Sequence, residues 1–302
     1  MFFIRTLLKT LISAQDVPES MASRRRPGVV VGLMSMMRLG NCVMGAAGVL
    51  LAAAICVGSE GVWDHLTEII LSMLVVAAFT GAGNSLNDYF DREVDRVAHP
   101  SRPIPRGLVS PSGAVAMSLT LFALSAVGGF VVGVPSFIIV VASAGVMLAY
   151  EVFLKSEGLM GNLAISWLTG AVFLFGGASV DGLHLAWILA LLAFLATLGR
   201  EVVKDVQDLK GDKGARTTLP MRLGARNAGI LASLSLIGAV ALSPAPYLLS
   251  LLSIWYIPFV VLADGIFIYS SLIHFEDPER GQKVIKLAML IALVAFLFGG
   301  IL

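Results

Sequence analysis

Charge is scarce in this chain. Only 14% of its 302 residues are Asp, Glu, Lys or Arg, against 57% hydrophobic residues and a mean hydropathy of +0.89, which excludes a soluble globular domain. Cysteine is nearly absent as well. Cys42 and Cys56 lie fourteen residues apart in one apolar segment, too far along a straight helix to bond to each other, so both are expected as buried thiols. The four histidines, His65, His99, His184 and His274, have no ligand spacing and are assigned no metal site. No nucleic-acid partner and no obligate protein partner are expected.

What the chain has instead is long apolar runs. Nine reach bilayer length, roughly Leu39 to Val57, Leu66 to Leu86, Gly113 to Val134, Ser136 to Leu154, Leu159 to Val180, Leu183 to Gly199, Ala228 to Leu242, Tyr247 to Ile273 and Val284 to Leu302. The expected fold is an all-α integral membrane protein, a bundle of about nine transmembrane helices forming a single polytopic domain over 1–302. Gly and Ala recur in the spans, as in Gly45 to Ala54 and Gly129 to Gly133, where small residues permit close helix approach.

The few charges are sorted by sign. All 21 Lys and Arg fall in the N-terminal segment or near loops two-three, four-five, six-seven and eight-nine, whereas the intervening loops carry acidic or neutral residues such as Glu60, Asp64 and Asp181. By the positive-inside rule this predicts a multi-pass protein of the cell membrane with a cytoplasmic N-terminus and Leu302 outside. Residues 1–26 read as a candidate interfacial segment: Phe3, Leu7, Leu8, Leu11 and Ile12 fall near one helix face with Arg5 and Lys9 interspersed. Arg24, Arg25 and Arg26 then serve as an orientation signal or contact lipid headgroups.

Two acidic clusters stand at the cytoplasmic ends of spans. The first holds Asn84, Asn87, Asp88, Asp91 and Asp95; the second holds Glu201, Asp205, Asp208 and Asp212. Asn87, Asp91 and Asp95 are four apart, and the second set steps by four, three and four, which is the spacing of a helix face. Carboxylates so close together repel one another, and a hard divalent cation reverses the sign of that interaction. Mg²⁺ takes one or two carboxylates plus phosphate oxygens and water, so such clusters suit a diphosphate carried on bridging ions above an apolar chamber for a lipid tail. A weak echo supports two like halves: acids followed by Ser101 to Gly107 in the first, and by Ala215 to Pro220 in the second. It predicts the two acidic helix ends facing a shared cavity.

The stretches Asn87 to Asp95, Ser101 to Gly107 and Asp205 to Asp212 resemble the two Asp-rich motifs of the UbiA superfamily of intramembrane prenyltransferases. The likeness in sequence is concentrated in these loops, and the likeness in organisation extends over nearly the whole chain. It implies an all-helical bundle around a cavity open to lipid, and Mg²⁺, two ions bridging the diphosphate, as cofactor. Implied metal ligands are Asn87, Asp88, Asp91, Asp95, Asp205, Asp208 and Asp212, with Asp91, Asp95, Asp208, Asp212, Tyr150 and Lys155 in catalytic roles. Arg38 matches the family's arginine at the membrane edge, with Asn41 one turn on; together with Arg102, Lys155 and Lys204 they would bind the diphosphate or an acceptor phosphate, and Arg106 and Arg216 are further cationic candidates. Tyr150 and Lys155 are separated by four residues where the family has three, a departure that bears on Tyr150 most. Lys155, Arg102 and Lys204 also have a plain reading as headgroup contacts, and Tyr150 as an interfacial anchor.

The same stretches are most similar to archaeal members that transfer a geranylgeranyl group to the glycerol hydroxyl of geranylgeranylglyceryl phosphate, making an ether bond of a membrane lipid. The resemblance thus implies an isoprenyl diphosphate donor, a lipophilic acceptor and a lipid environment. An aromatic or chlorophyll-type acceptor is the alternative within the family, and an ion or phosphate transporter the alternative outside it. Asp264, on the order of 15 Å into the eighth span, is either a cavity-lining group or an acid hydrogen-bonded to a neighbouring helix.

Overall fold

A computed structural model describes residues 27–209 and 217–301, so the readings of residues 1–26, Asp212 and Arg216 lie outside the described residues. All regular structure among the described residues is helical. In chain order the helices are α1 (Pro27–Met37), α2 (Leu39–Asp64), α3 (Leu66–Phe90), α4 (Arg92–Ala98), α5 (Pro111–Val132), α6 (Val134–Val152), α7 (Leu159–Ala178), α8 (Leu183–Gln207), α9 (Leu219–Leu223), α10 (Ala225–Leu242), α11 (Ala245–Leu248), α12 (Tyr256–Ile273) and α13 (Pro278–Ile301). Nine of them are long and apolar enough to cross a membrane: α2, α3, α5, α6, α7, α8, α10, α12 and α13.

Helix starts follow from local chemistry. Ser110 Oγ accepts the Gly113 N–H at 3.0 Å ahead of α5, whose first residue is Pro111, and Asp277 Oδ1 accepts the Arg280 N–H at 2.9 Å ahead of α13, which also opens on proline. The turn between the third and fourth spans is a single residue, Gly133. The eighth span departs from expectation. It was expected from Tyr247, but the helix begins at Tyr256, because the chain first forms the short α11 and then a turn pinned by a hydrogen bond from the Ser253 N–H to the Gly299 carbonyl at 2.8 Å. Pro258, which lacks an N–H, falls in the first turn of α12, where no intrahelical donor is needed.

The described chain divides into two compact units, one within 1–44 and 77–125, the other within 45–76 and 126–302. In the first, Met36, Val109 and Ala114 form a small core with Leu33, Tyr89, Ile104 and Leu108 packed against it. Asn84 Nδ2 donates to the Met37 carbonyl at 2.8 Å and Ser118 Oγ to the Ala82 carbonyl at 2.9 Å, which ties α3 to the end of α1 and to α5.

In the second unit α7 packs along α8, α12 along α13, and α10 against α8. Its core runs from Leu51, Ile55 and Phe173 to Leu189, Tyr256 and Phe296, with a further cluster around Val202, Val203, Ala232, Leu236 and Ile285. Asp264 is tied to the end of α10: it lies 2.6 Å from Ser243 Oγ, and Tyr256 donates to the Ser243 carbonyl at 2.9 Å. This deep carboxyl is thus hydrogen-bonded to the end of a neighbouring helix. Cys42 and Cys56 are both free thiols; Cys42 is buried as expected, whereas Cys56 is half-buried.

Candidate active site

The first acidic cluster forms where α3 ends. Asp91 breaks the regular helix between α3 and α4, yet the Asp91 N–H still reaches the Asn87 carbonyl at 2.9 Å and the Asp95 N–H the Asp91 carbonyl at 2.8 Å. The four-residue phasing read from the sequence is thus kept across the break. The side chains nevertheless separate into two sets. Asp88 and Asp95 are 4% and 3% exposed and take guanidinium partners, whereas Asn87 and Asp91 are half-buried.

Arg38 is the hub of that division. It is the junction residue between α1 and α2, and its φ of 52° lies in the left-handed region that side chains other than glycine rarely adopt. From there Nη2 reaches Asp88 Oδ1 at 2.6 Å and Asn87 Oδ1 at 3.3 Å. Arg102, in the loop after α4, pairs with Asp95 Oδ2 at 2.5 Å and approaches Asp88 Oδ1 at 3.5 Å. Asp88 is thereby held between two cations. Charged hydrogen bonds of this kind are the strong ones, and they fix both arginines in direction as well as in place. Asn41, in the first turn of α2, is exposed, and so is Arg106.

Of the second cluster, Glu201 and Asp205 lie on the last turns of α8. Tyr150, Lys155, Lys204 and Asp205 line one small polar pocket of about 30 Å³ together with Gly158, Gly161, Asn162, Ile165, Glu201 and Thr218. Asp208 caps the end of α8 and is half-buried outside that pocket. Lys155 reaches the buried Glu151 carboxylate at 3.4 Å, and Arg200 pairs with its neighbour Glu201. Asn162 Nδ2 donates to Asp205 Oδ2 at 3.0 Å. Thr218 Oγ1 is buried and has no hydrogen-bond partner among the described residues.

Glu151, Asn162 and Thr218 are the residues that reading the sequence missed. Glu151 and Lys155 have the i, i+4 spacing of a helical ion pair, a usable signal. Asn162 carried a weaker one, a lone carboxamide at the mouth of an apolar span.

The donor set suits a hard divalent cation. The first cluster offers carboxylate and carboxamide oxygens and the second carboxylates, with no imidazole or thiolate among their members, which favours Mg²⁺ over softer metals. Among the described residues no three His, Cys, Asp or Glu side chains are grouped as a ready-made metal cage. A cleft of about 610 Å³, lined by Val206, Ala225, Arg226, Ile230, His274 and Phe275, contains none of the site residues expected from the sequence.

Comparison with known proteins accords with this geometry. Residues 41–296 match the UbiA prenyltransferase family. The chain is similar to digeranylgeranylglyceryl phosphate synthase of Methanothermobacter thermautotrophicus, 38% identical over 272 residues that cover 88% of this chain and 95% of that protein. A solved structure concerned with digeranylgeranylglyceryl phosphate synthase in membranes matches with a TM-score of 0.80 at 32% identity, covering 90% of this chain and 99% of that one. A UbiA homologue from Archaeoglobus fulgidus bound to GPP and Mg²⁺ shares the fold, with a TM-score of 0.64 at 17% identity over 87% of this chain and 97% of that one.

Proposed function

This chain belongs to the UbiA prenyltransferase family, a family of multi-pass membrane enzymes, and on that premise we propose that it transfers a geranylgeranyl group from its diphosphate to geranylgeranylglyceryl phosphate. The allylic C–O bond to the diphosphate breaks with its electron pair on the leaving group. The glycerol hydroxyl oxygen forms the new ether bond and gives up its proton. The observation that carries this reading is the similarity to digeranylgeranylglyceryl phosphate synthases across 88% of the chain and nearly the whole length of those proteins.

Mg²⁺, two ions in this reading, would neutralise the departing diphosphate. Support comes from the oxygen-only donor set and from the GPP and Mg²⁺ bound to the Archaeoglobus fulgidus homologue. Asn87, Asp91, Asp205 and Asp208, with Asp212, are assigned as metal ligands. Asp88 and Asp95 are assigned instead to holding Arg38 and Arg102, whose remaining N–H groups point to phosphate recognition. Lys155, Lys204 and Tyr150 are assigned to the same anionic substrates, and the apolar spans to the prenyl chain and the exclusion of water. The charge asymmetry of the loops supports a cytoplasmic location for both clusters.

The test is product formation in lipid or detergent with Mg²⁺ and geranylgeranyl diphosphate, offering geranylgeranylglyceryl phosphate and, separately, an aromatic acceptor. Ether product with the glycerophosphate is expected. Coupling only to the aromatic would overturn the acceptor, and coupling to neither by folded protein would overturn the activity.

A further inference from the structure

We propose that Asn162 is a positioning residue for Asp205, setting the direction in which that carboxylate meets the cation; this rests on the reading of Asp205 as a metal ligand. The two side chains are 7% and 5% exposed, come from α7 and α8, and meet at 3.0 Å. The contact fixes the amide orientation, because turning the carboxamide over would set two acceptor oxygens against each other.

The surrounding backbone holds Asn162 in place. Gly158 has a φ of 61°, and a Cβ there would meet the Leu219 backbone nitrogen at 3.2 Å. A Cβ on Gly161 would meet the Leu154 carbonyl oxygen at 2.8 Å. Both glycines let the start of α7 lie against neighbouring backbone, so Asn162 enters the polar pocket from its first full turn. Ser166 Oγ donates to the Asn162 carbonyl at 2.6 Å, one turn further on.

The chemistry of the clamp distinguishes it from the first cluster. Asp88 and Asp95 are held by guanidinium groups, which orient a carboxylate and also cancel its charge. An amide N–H orients Asp205 and adds no charge of its own. Direction is what a ligand to Mg²⁺ requires, since the ion demands near-octahedral geometry. The buried Thr218 hydroxyl, which has no hydrogen-bond partner among the described residues, is a second polar group on the same pocket wall.

The experiment uses the full chain in lipid nanodiscs and measures Mn²⁺ affinity by electron paramagnetic resonance in the presence of geranylgeranyl thiodiphosphate, beside the Mg²⁺ dependence of turnover. Asn162→Ala should weaken Mn²⁺ binding by about 10-fold or more and raise the half-saturating Mg²⁺ in proportion, with kcat recovering at saturating Mg²⁺. In an Asp205→Asn background Asn162→Ala should produce no further loss, because its effect passes through that carboxylate. If Asn162→Ala does not fold, Asn162→Ser, which keeps a short donor, should show an intermediate affinity. Wild-type Mn²⁺ affinity in the folded variant, or losses that multiply in the double variant, would overturn the inference. Absence of Mg²⁺-dependent transfer by the wild type would instead overturn the functional reading on which it rests.

Discussion

Arg38 carries two burdens at once, a strained backbone and a buried ion pair, and they can be separated by substitution. A left-handed conformation costs a non-glycine residue about 1 kcal/mol, so Arg38→Gly relieves strain that Arg38→Ala retains. Either change leaves Asp88 buried with Arg102 at 3.5 Å as its remaining guanidinium partner. A fully buried pair broken on one side loses ~3 to 5 kcal/mol. Arg38 is partly exposed, so we expect a loss of about 2 kcal/mol for Arg38→Ala and about 1 kcal/mol less for Arg38→Gly, read from thermal unfolding in detergent. Asp91 and Asp208 invite a different experiment. Asp91→Asn and Asp208→Asn should each lower Mg²⁺-dependent turnover on the order of 100-fold or more while the melting temperature stays near that of the wild type. Undiminished turnover in both would remove the proposed metal site.

Among the elements, α7 shows how packing depends on residues without side chains. A Cβ on Gly176 would lie 2.6 Å from the Val49 carbonyl oxygen of α2, and rigid backbone has little room to yield. Gly176→Ala should therefore destabilise by about 1 to 3 kcal/mol. Gly145 of α6 is exposed and meets nothing within 4 Å, so Gly145→Ala should be neutral or stabilising by up to ~1 kcal/mol. The contrast between the two, measured by the same thermal assay, tests the packing rather than helix propensity.

The junction of α12 and α13 adds a pH dependence. His274 is buried, its Nε2 lies 2.9 Å from Ser233 Oγ, and the Ser233 hydroxyl proton goes to the Ser271 carbonyl, so His274 is the donor in that contact. Burial pushes its pKa below the ordinary histidine value. The unfolded chain then binds a proton more readily than the folded one, and stability should fall as pH drops below about 6.5. His274→Gln should flatten that part of the stability profile.

At the scale of the whole molecule, orientation and metal dependence are the measurable properties. With Cys42 and Cys56 replaced by Ser, a cysteine at Ser59 or Asp181 should react with a membrane-impermeant maleimide in intact cells, and one at Ser101 or Ser156 only after lysis. Chelation with EDTA should abolish turnover reversibly without unfolding the protein, since the helical cores contain no metal ligand cluster among the described residues. Sequence alone determined the nine apolar spans, the free thiols and the helical phasing of the acids, because hydropathy and i, i+4 spacing are properties of a short stretch of chain. It misplaced the start of the eighth span, where a turn tied to Gly299 interrupts an apolar run. Only the tertiary structure decided that Asp88 and Asp95 are buried against arginines while Asn87 and Asp91 are half-buried, and that Asn162 meets Asp205. The Arg38–Asp88 and Asn162–Asp205 contacts join residues 50 and 43 positions apart, and no local pattern encodes which side chains the folded chain will bring within 3 Å.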